Sequence, residues 1–512
     1  MPHPTTIPEL LEGGDPGAPA IGAPEGAPPL SRDGLRALAK RTVEALNRLG
    51  VGRNDRVAIV LANGPEMASA FVSIASGATT APLNPGYRAE ELEFYLTDLE
   101  AKALVVDAGA HSPAVEVARK LKVPVLELVR EREQGTGSFS LRPVDAAPPR
   151  SAPACPGLAG PDDVALVLHT SGTTSRPKMV PLLHRNVAAS ARHIVETLAL
   201  VPGDVCLNIM PLFHIHGLIA ATLSSLAAGA QVCCSSGFNA LKFFHWLDEV
   251  KPTWYTAVPT MHQAILARAD HNPEIVARSR LRLVRSSSAS LPPQVMAALE
   301  RTFRAPVIEA YGMTEAAHQM ASNPLPPRAR KPGSVGVAAG PEVAIMDEHG
   351  TLLPAGATGE VVIRGPNVTP GYEANPDANA RAFASGWFRT GDQGVIDAEG
   401  YLRLTGRLKE LINRGGEKFS PLEVDEALMD HPAVQQVVTF GVPSEKLGEE
   451  VAAAVVLRDG KQVGERELRE FAAARLAHFK VPRKIVFLHE IPKGATGKLQ
   501  RIGLAARLGL TA

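Results

Sequence analysis

Apolar and polar positions alternate with two periods along the first 330 residues. Short runs such as RVAIVLA, ALVVD and VALVLH have the aliphatic and β-branched content of buried strands. Between such runs, residues 31–49, 65–75 and 186–198 repeat apolar positions at helical spacing, and a further helix is expected through residues 219–226. Strand and helix in alternation predict an α/β fold with two doubly wound parallel sheets, one before and one after residue 170.

The pattern changes after residue 333. Short strands with Gly or Pro turns occupy residues 333–396 and predict a small β-barrel or twisted sheet. From residue 410 a compact α+β pattern follows, with a helix predicted over residues 421–429. We therefore predict an N-terminal domain of residues 1–408 and a smaller C-terminal domain of residues 409–512. Residues 1–30 and 133–162 are rich in Pro, Gly and Ala, which predicts a loose lead-in and a surface connection.

Composition removes several classes of partner. Lys and Arg total 53, as do Asp and Glu, so nucleic acid and anionic membrane surfaces are not expected partners. The four cysteines form no C-x-x-C pair, which favours a reducing compartment. No leader pattern and no run of about 18 apolar residues occurs, so we expect a cytoplasmic protein without a membrane span.

A hydroxyl-rich turn follows the strand at 164–168. The side chains in this turn are those of Thr170, Ser171, Gly172, Thr173, Thr174 and Ser175. Their hydroxyls and backbone N–H groups suit a triphosphate, and Lys178 adds a point charge. Because the spacing differs from that of a P-loop, an ordinary Ser/Thr loop is the alternative interpretation.

Three further stretches decide between these interpretations. EAYGMTEAAHQM (309–320), GWFRTGDQGVIDAEGYLRLTGRLKELI (386–412) and PKGATGKLQR (492–501) follow the hydroxyl turn in that order. Together the four stretches resemble the adenylate-forming superfamily, which includes acyl-CoA synthetases, luciferases and the adenylation domains of peptide synthetases. The family's turn has glycines where this sequence has Ser175 and Met179.

The resemblance implies a site for ATP and Mg²⁺. Tyr311 would stack on adenine, Asp392 and Arg407 would bind the ribose hydroxyls, and Glu315 with Thr170 would hold Mg²⁺. The implied ATP-binding residues are Thr170, Ser171, Gly172, Thr173, Thr174, Lys178, Ser288, Ala289, Ser290, Glu309, Ala310, Tyr311, Gly312, Met313, Thr314, Asp392, Leu404, Arg407 and Lys498.

The same resemblance implies catalytic, hinge and coenzyme A residues. The catalytic set is Lys498, Thr170, Glu315 and His214. Lys409 falls at the hinge about which the C-terminal domain would turn as a mobile lid. Gly415, Gly416 and Lys418 would line the channel for the pantetheine arm of coenzyme A.

Segments including PLFHIHG (211–217) and RSSSASLP (285–292) resemble the oxalyl-CoA synthetase branch. They supply the predicted acid site, which consists of His214, His216, Ser287, Ser288 and His318. Hydroxyls and imidazoles can donate to a second carboxylate, so a very short dicarboxylate, oxalate first, is the expected acid. Two alternatives remain: the histidines face the nucleotide or hydrogen-bond within the core, or they bind a metal.

The implied activity is a two-step ligation that uses ATP, Mg²⁺, coenzyme A and a small carboxylate. The acid attacks the α-phosphorus of ATP to give an acyl-adenylate and pyrophosphate, and the thiol of coenzyme A then displaces AMP. Alternatives are a medium-chain fatty or aryl acid-CoA ligase, a luciferase, a peptide-synthetase adenylation domain and a non-catalytic nucleotide-binding protein. The oligomeric state is expected to be monomer or homodimer.

Overall fold

The structure is a computed structural model that describes residues 3–144, 152–170, 177–493 and 499–510. The helices in these ranges are α1 (Ile7–Leu11), α2 (Arg32–Arg48), α3 (Pro65–Ala75), α4 (Ala89–Asp98), α5 (Pro113–Lys120), α6 (His184–Leu198), α7 (Ser224–Ala227), α8 (Phe243–Val250), α9 (Pro259–Ala269), α10 (Pro273–Ala277), α11 (Pro293–Phe303), α12 (Pro376–Ala382), α13 (Pro421–Met429), α14 (Glu465–Ala473) and α15 (Leu504–Arg507).

The strands are β1 (Pro19–Gly22), β2 (Leu30–Ser31), β3 (Arg56–Val60), β4 (Thr79–Pro82), β5 (Ala103–Asp107), β6 (Val125–Arg130), β7 (Phe139–Pro143), β8 (Val164–Thr170), β9 (Lys178–Leu183), β10 (Val205–Asn208), β11 (Gln231–Cys234), β12 (Trp254–Ala257), β13 (Leu283–Ser287), β14 (Val307–Met313), β15 (His318–Ser322), β16 (Val337–Ala338), β17 (Glu342–Met346), β18 (Thr358–Arg364), β19 (Phe383–Ala384), β20 (Trp387–Ile396), β21 (Leu402–Arg407), β22 (Ile412–Arg414), β23 (Glu417–Phe419), β24 (Val434–Ser444), β25 (Gly448–Leu457) and β26 (Lys484–Phe487).

Two large sheets carry the first part of the chain, which confirms the α/β prediction. One has seven strands in the order β7-β6-β5-β3-β4-β8-β9, and the other has nine in the order β16-β15-β14-β13-β12-β10-β11-β1-β2. The inner strands pair in parallel, and strands at the edges pair antiparallel. The carboxyl ends of β8, β13 and β14 therefore lead into the stretches that carry the candidate chemistry.

Two segments with loop-like composition contain strands. β1 pairs in parallel with β11, so the lead-in is part of the nine-stranded sheet, and Ala20 and Ile21 are buried there. β7 pairs antiparallel with β6 and buries Phe139, so the prediction of a surface connection over 133–162 is wrong for this strand. In both cases pairing with a neighbouring strand and burial of apolar side chains outweigh the local composition.

The helix expected near residue 219 is a π-helix over His216–Leu223 that continues as α7. Every residue of the π-helix is buried. π-Helices are rare and concentrate at functional sites. This π-helix begins at His216, one of the histidines predicted to bind the acid.

Residues 342–407 form an antiparallel sheet in the order β17-β18-β20-β19, with β21 also paired to β20. Beyond it, β22 to β26 form a second five-stranded sheet, in which α13 packs against β24. The buried residues of this last part form two clusters of their own, centred on Val451 and Val438. Among the described residues, no helix is both long and apolar enough to cross a membrane.

Candidate active site

The hydroxyl turn leaves β8 and returns as β9. Thr170 and Lys178 lie opposite each other where the two strands meet, and the Thr170 hydroxyl lies 3.5 Å from the Lys178 carbonyl oxygen. Ser171, Gly172, Thr173, Thr174 and Ser175 lie outside the described residues, as does Lys498. The hairpin thus places the lysine beside the strand end from which the turn departs, a pairing that the sequence analysis did not predict.

Lys178 and Glu315 are linked through Tyr372. The Lys178 Nζ lies 4.0 Å from the centroid of the Tyr372 ring, and the Tyr372 hydroxyl donates to Glu315 Oε1 at 2.8 Å. Burial raises the pKa of Glu315, while Tyr372 and Lys178 oppose that rise. Burial lowers the pKa of Lys178, and the nearby Lys409 and Arg381 lower it further against the attraction of Glu315.

Glu315 fits the predicted Mg²⁺ site. The described residues contain no group of three or more His, Cys, Asp and Glu side chains that could hold a metal by themselves. Mg²⁺ is commonly held by one or two carboxylates with substrate phosphates and water completing its shell. Glu315, a single buried carboxylate in the short turn Thr314–Ala316, is that kind of donor.

Tyr311, Asp392 and Arg407 form a second cluster. The Tyr311 hydroxyl donates to Asp392 Oδ2 at 2.5 Å, and Arg407 Nε donates to Asp392 Oδ1 at 2.9 Å. The negative charge of Asp392 raises the pKa of Arg407, and burial raises that of Tyr311. β20 and β21 bring Asp392 and Arg407 to Tyr311 on β14, which is more than 80 residues away in the chain. Leu404 is half-buried on β21 and packs against the main core.

Hydrogen bonds of two buried side chains fix the turn after β13. Ser287 is fully buried and donates to the Ala310 carbonyl at 2.8 Å, so its hydroxyl joins β13 to β14. Glu309 Oε1 accepts from the Leu291 N–H at 2.9 Å, and burial raises the pKa of Glu309 to about 8. Ala289 and Ser290 are exposed. Ser288 is half-buried with φ of 75°, in the left-handed region.

Ser288 belongs to a cluster of imidazoles. His216 Nδ1 lies 3.0 Å from Ser288 Oγ and its Nε2 lies 2.6 Å from Thr256 Oγ1. The ring centroids of His216 and His318 are 5.0 Å apart. The His216 N–H donates to His214 Nδ1 at 3.2 Å. Four of the five predicted acid-site residues therefore lie together, and Ser287 lies beneath them.

β14 and β15 meet so closely that one position tolerates no side chain. A Cβ at Gly312 would lie 1.7 Å from the His318 carbonyl oxygen. Met313 and His318 are opposite each other in the same pair of strands, and Thr314 begins the short turn between them. Glu315 and His318 are thus presented by one tight turn, and both are buried.

Lys409, Gly415, Gly416 and Lys418 lie in or near the C-terminal part. Lys409 is in the short 3-10 helix Leu408–Glu410 that joins β21 to β22. Gly415 and Gly416 form the β22–β23 turn with φ of 62° and 95°, and Lys418 is exposed on β23. These positions are open to a ligand, and their roles stay predictions.

Three residues of these clusters were missed by the sequence analysis: Tyr372, Thr256 and Arg285. Arg285 is fully buried in the middle of β13, and burial lowers its pKa to about 9. Its only sequence signal is that it is the second arginine of LRLVRSS, and charged residues are rare in buried strands.

Comparison with known proteins identifies the family of the chain. The family model described as AMP-binding enzyme matches residues 15–373, and the model described as AMP-binding enzyme C-terminal domain matches residues 423–498. An oxalate–CoA ligase of Arabidopsis thaliana is 47% identical over 91% of each chain. An oxalate–CoA ligase of Saccharomyces cerevisiae is 43% identical over 88% of this chain and 86% of its own.

A solved structure of similar fold is that of ATP-bound MatB from Rhodopseudomonas palustris. It superposes with a TM-score of 0.86 at 30% identity and covers 97% of each chain. The matched family models together cover the two large sheets and most of the C-terminal part, with residues 374–422 between them. The chain therefore belongs to the AMP-binding enzyme family, within the adenylate-forming superfamily that its motifs resemble.

Proposed function

We propose that the protein is an ATP-dependent, AMP-forming acyl-CoA ligase that acts on oxalate or another very short dicarboxylate. The observation that carries this proposal is the cluster of His214, His216, Ser288 and His318 beside the Glu315–Tyr372–Lys178 group. Polar donors at this depth require a polar ligand, because an alkyl chain gains only by leaving water for an apolar wall.

The chain's own residues divide the chemistry. Lys178 and the hydroxyls from Thr170 to Thr174 would bind the phosphates. Asp392 would accept hydrogen bonds from the ribose hydroxyls and Arg407 would donate to them, which fixes the nucleotide. Glu315, with Thr170, would hold Mg²⁺, which neutralises phosphate charge when bound. Lys498 would stabilise the charge that develops at the α-phosphorus.

The second half-reaction needs the acyl carbonyl to meet a thiol. The sulfur of coenzyme A attacks the acyl carbon, the acyl–phosphate bond breaks, and AMP leaves with its electron pair. Gly415, Gly416 and Lys418 would contact the pantetheine arm after the C-terminal part turns about Lys409. The cysteines in the described residues are free, which supports a reducing, cytoplasmic setting.

The experiment is AMP release with coenzyme A against a panel of acids. The panel separates the effects of the acid's charge, length and apolarity, and consists of oxalate, malonate, succinate, acetate, hexanoate and coumarate. We expect the highest kcat/KM for oxalate, with losses on lengthening the acid and on removing its second carboxylate. A kcat/KM for hexanoate or coumarate well above that for oxalate would contradict a dicarboxylate substrate, whereas the acyl-CoA ligase activity would still stand.

A further inference from the structure

Arg285 is a buried cation without a carboxylate partner among the described residues. Its side chain is 0% exposed, and its Nε has no hydrogen-bond partner in the same part of the chain. No ion pair is formed by Arg285 there, although exposed arginines such as Arg278 form bidentate ones. An uncompensated buried charge costs several kcal/mol, so a fold retains it only where something nearby repays that cost.

The guanidinium donates to three acceptors. Nη2 reaches Gln319 Oε1 at 3.3 Å and His318 Nδ1 at 3.5 Å, and Nη1 reaches Thr256 Oγ1 at 3.5 Å. The Gln319 amide is oriented independently, because its Nε2 donates to the Ala339 carbonyl at 3.2 Å. Its Oε1 must therefore face Arg285.

Contact with Arg285 determines the tautomer of His318. A guanidinium has no acceptor, so His318 Nδ1 must offer its lone pair. The ring proton of His318 is then on Nε2, and that nitrogen is a donor. Because a doubly protonated ring would have no lone pair at Nδ1, the contact also requires a neutral imidazole.

A second line of hydrogen bonds leads from Arg285 through Thr256. The positive charge favours a Thr256 hydroxyl that points away from Arg285, towards His216 Nε2 at 2.6 Å. His216 then carries its proton on Nδ1 and donates to Ser288 Oγ at 3.0 Å. Ser288, which accepts this bond, has its own hydroxyl proton to donate.

We propose that Arg285 is the residue that makes the acid site select a second negative charge, through two hydrogen-bond relays that end in the donors His318 Nε2–H and Ser288 Oγ–H. This assignment rests on the proposed function, because it names how that site recognises a dianionic acid. Arg285 is a positioning residue: it orients the donors and supplies the positive charge behind them.

The relays distinguish a dianion from a monoanion of the same shape. The distal carboxylate of oxalate accepts hydrogen bonds only and gains from the buried charge. Oxamate replaces that carboxylate by a neutral amide, which gains far less from the charge and adds N–H groups that face donors. A neutral distal group therefore leaves Arg285 uncompensated.

Arg285→Met tests the proposal against a purely structural role. We expect the KM for oxalate to rise by about 100-fold, the size expected for loss of a charge-assisted hydrogen bond, while the KM for ATP changes by less than about 3-fold. The inhibition constant of oxamate against oxalate should change by less than about 5-fold. Arg285→Lys, which keeps the charge, should recover part of the preference for oxalate.

Arg280→Met is the matched control, since Arg280 is an exposed arginine on the segment leading into β13. It should leave all three constants unchanged. Equal losses for oxalate, oxamate and ATP in the folded Arg285→Met protein would overturn the relay. If that variant does not fold, the proposal is tested by Arg285→Lys and by the histidine ¹⁵N–¹H spectrum of the unmodified protein.

The tautomer can be observed without any substrate. Long-range ¹⁵N–¹H spectra of histidine-labelled protein should show His318 protonated on Nε2 and His216 on Nδ1, with His318→Gln and His216→Gln used for assignment. A His318 ring protonated on Nδ1 would contradict the relay whatever acid is used. If oxalate proves inactive but these tautomers are found, the proposed substrate fails and the relay stands.

Discussion

At the scale of single residues, Glu309 shows how burial converts an acidic side chain into a structural acceptor. Its carboxyl is buried under the 288–291 turn and accepts one backbone hydrogen bond, from Leu291. The second oxygen, Oε2, has no partner among the described residues. The neutral acid is therefore the form that this site holds, and its pKa of about 8 follows chiefly from desolvation.

We predict that Glu309→Gln stabilises the protein at alkaline pH. An unfolded glutamate loses its proton near pH 4.3, whereas the native one keeps it to about pH 8, so wild-type stability falls between these values and then levels off. Glutamine keeps the acceptor for Leu291 and has no proton to lose. Relative to wild type, the variant should gain roughly 2–4 kcal/mol between pH 5 and pH 9.

Thermal unfolding midpoints at pH 5, 7 and 9 measure this gain. Glu445→Gln, at an exposed position, is the control and should show no such trend. A Glu309→Gln variant whose midpoint tracked that of wild type at all three pH values would mean that Glu309 is ionised in the native protein.

Residues of the site could be predicted where they belong to contiguous motifs. Glu315, Asp392 and Arg407 stand in such stretches, and the structure pairs the last two directly. Arg285, Thr256 and Tyr372 could not be predicted, because their roles depend on partners from other strands and loops. A lone charge in an apolar run gives no indication of what it faces.

At the scale of elements, the π-helix over His216–Leu223 determines how the first imidazoles are presented. Its opening turn is held by the Gly217 carbonyl, which accepts from Thr222 Oγ1 at 2.8 Å and from Asn208 Nδ2 at 3.2 Å. A Cβ at Gly217 would lie 2.4 Å from the Pro211 carbonyl oxygen. The segment that carries His214 and the helix that carries His216 thus meet at a glycine.

We predict that Gly217→Ala lowers both stability and acid affinity. Backbone must move to admit the methyl group, at a cost of about 1–3 kcal/mol, and we expect His214 and His216 to move with it. The KM for the acid should rise more than the KM for ATP, and the unfolding midpoint should fall. Gly203→Ala, where a Cβ meets no atom within 4 Å, is the control. Unchanged stability in Gly217→Ala would show that the turn adjusts freely.

The sequence predicted most elements and missed those defined by distant partners. α3 and α13 have the predicted bounds, because amphipathic spacing and an initial proline act locally. β1 was missed because it is a strand only when β11, more than 200 residues away, is beside it. The helix near residue 219 was predicted, but its π-helical form was not, because HGLIAATL has no polar face that would indicate the number of residues per turn.

At the scale of the whole molecule, few hydrogen bonds join the described residues of the N-terminal part to those of the C-terminal part. Gln263 Nε2 donates to the Gln435 carbonyl, and Gln436 Nε2 donates to Gln263 Oε1, both at 3.4 Å. The core clusters separate on either side of the 3-10 helix that contains Lys409. These features support the proposal that the C-terminal part turns as a unit about Lys409, and the boundary at 408/409 stays a prediction.

We predict that Lys498→Ala impairs adenylation and spares thioester formation. The lysine's charge would serve only while the C-terminal part presents it to ATP, so the first half-reaction should slow by about 100- to 1,000-fold. The rate from preformed acyl-adenylate and coenzyme A should change by less than about 3-fold. Pyrophosphate exchange and thioester formation are measured separately, with Lys493→Ala as the control. Equal loss in both half-reactions would remove the proposed role.

The direction of the hydrogen bond between Arg285 and His318 has a consequence for the measured enthalpy of ligand binding. A neutral His318 whose Nδ1 accepts from a guanidinium keeps its one ring proton on Nε2 and takes up no second proton when an anion binds. An acid bound by such donors exchanges no proton with the solvent through that ring. Its calorimetric binding enthalpy would then be the same in phosphate as in Tris, two buffers with very different ionisation enthalpies.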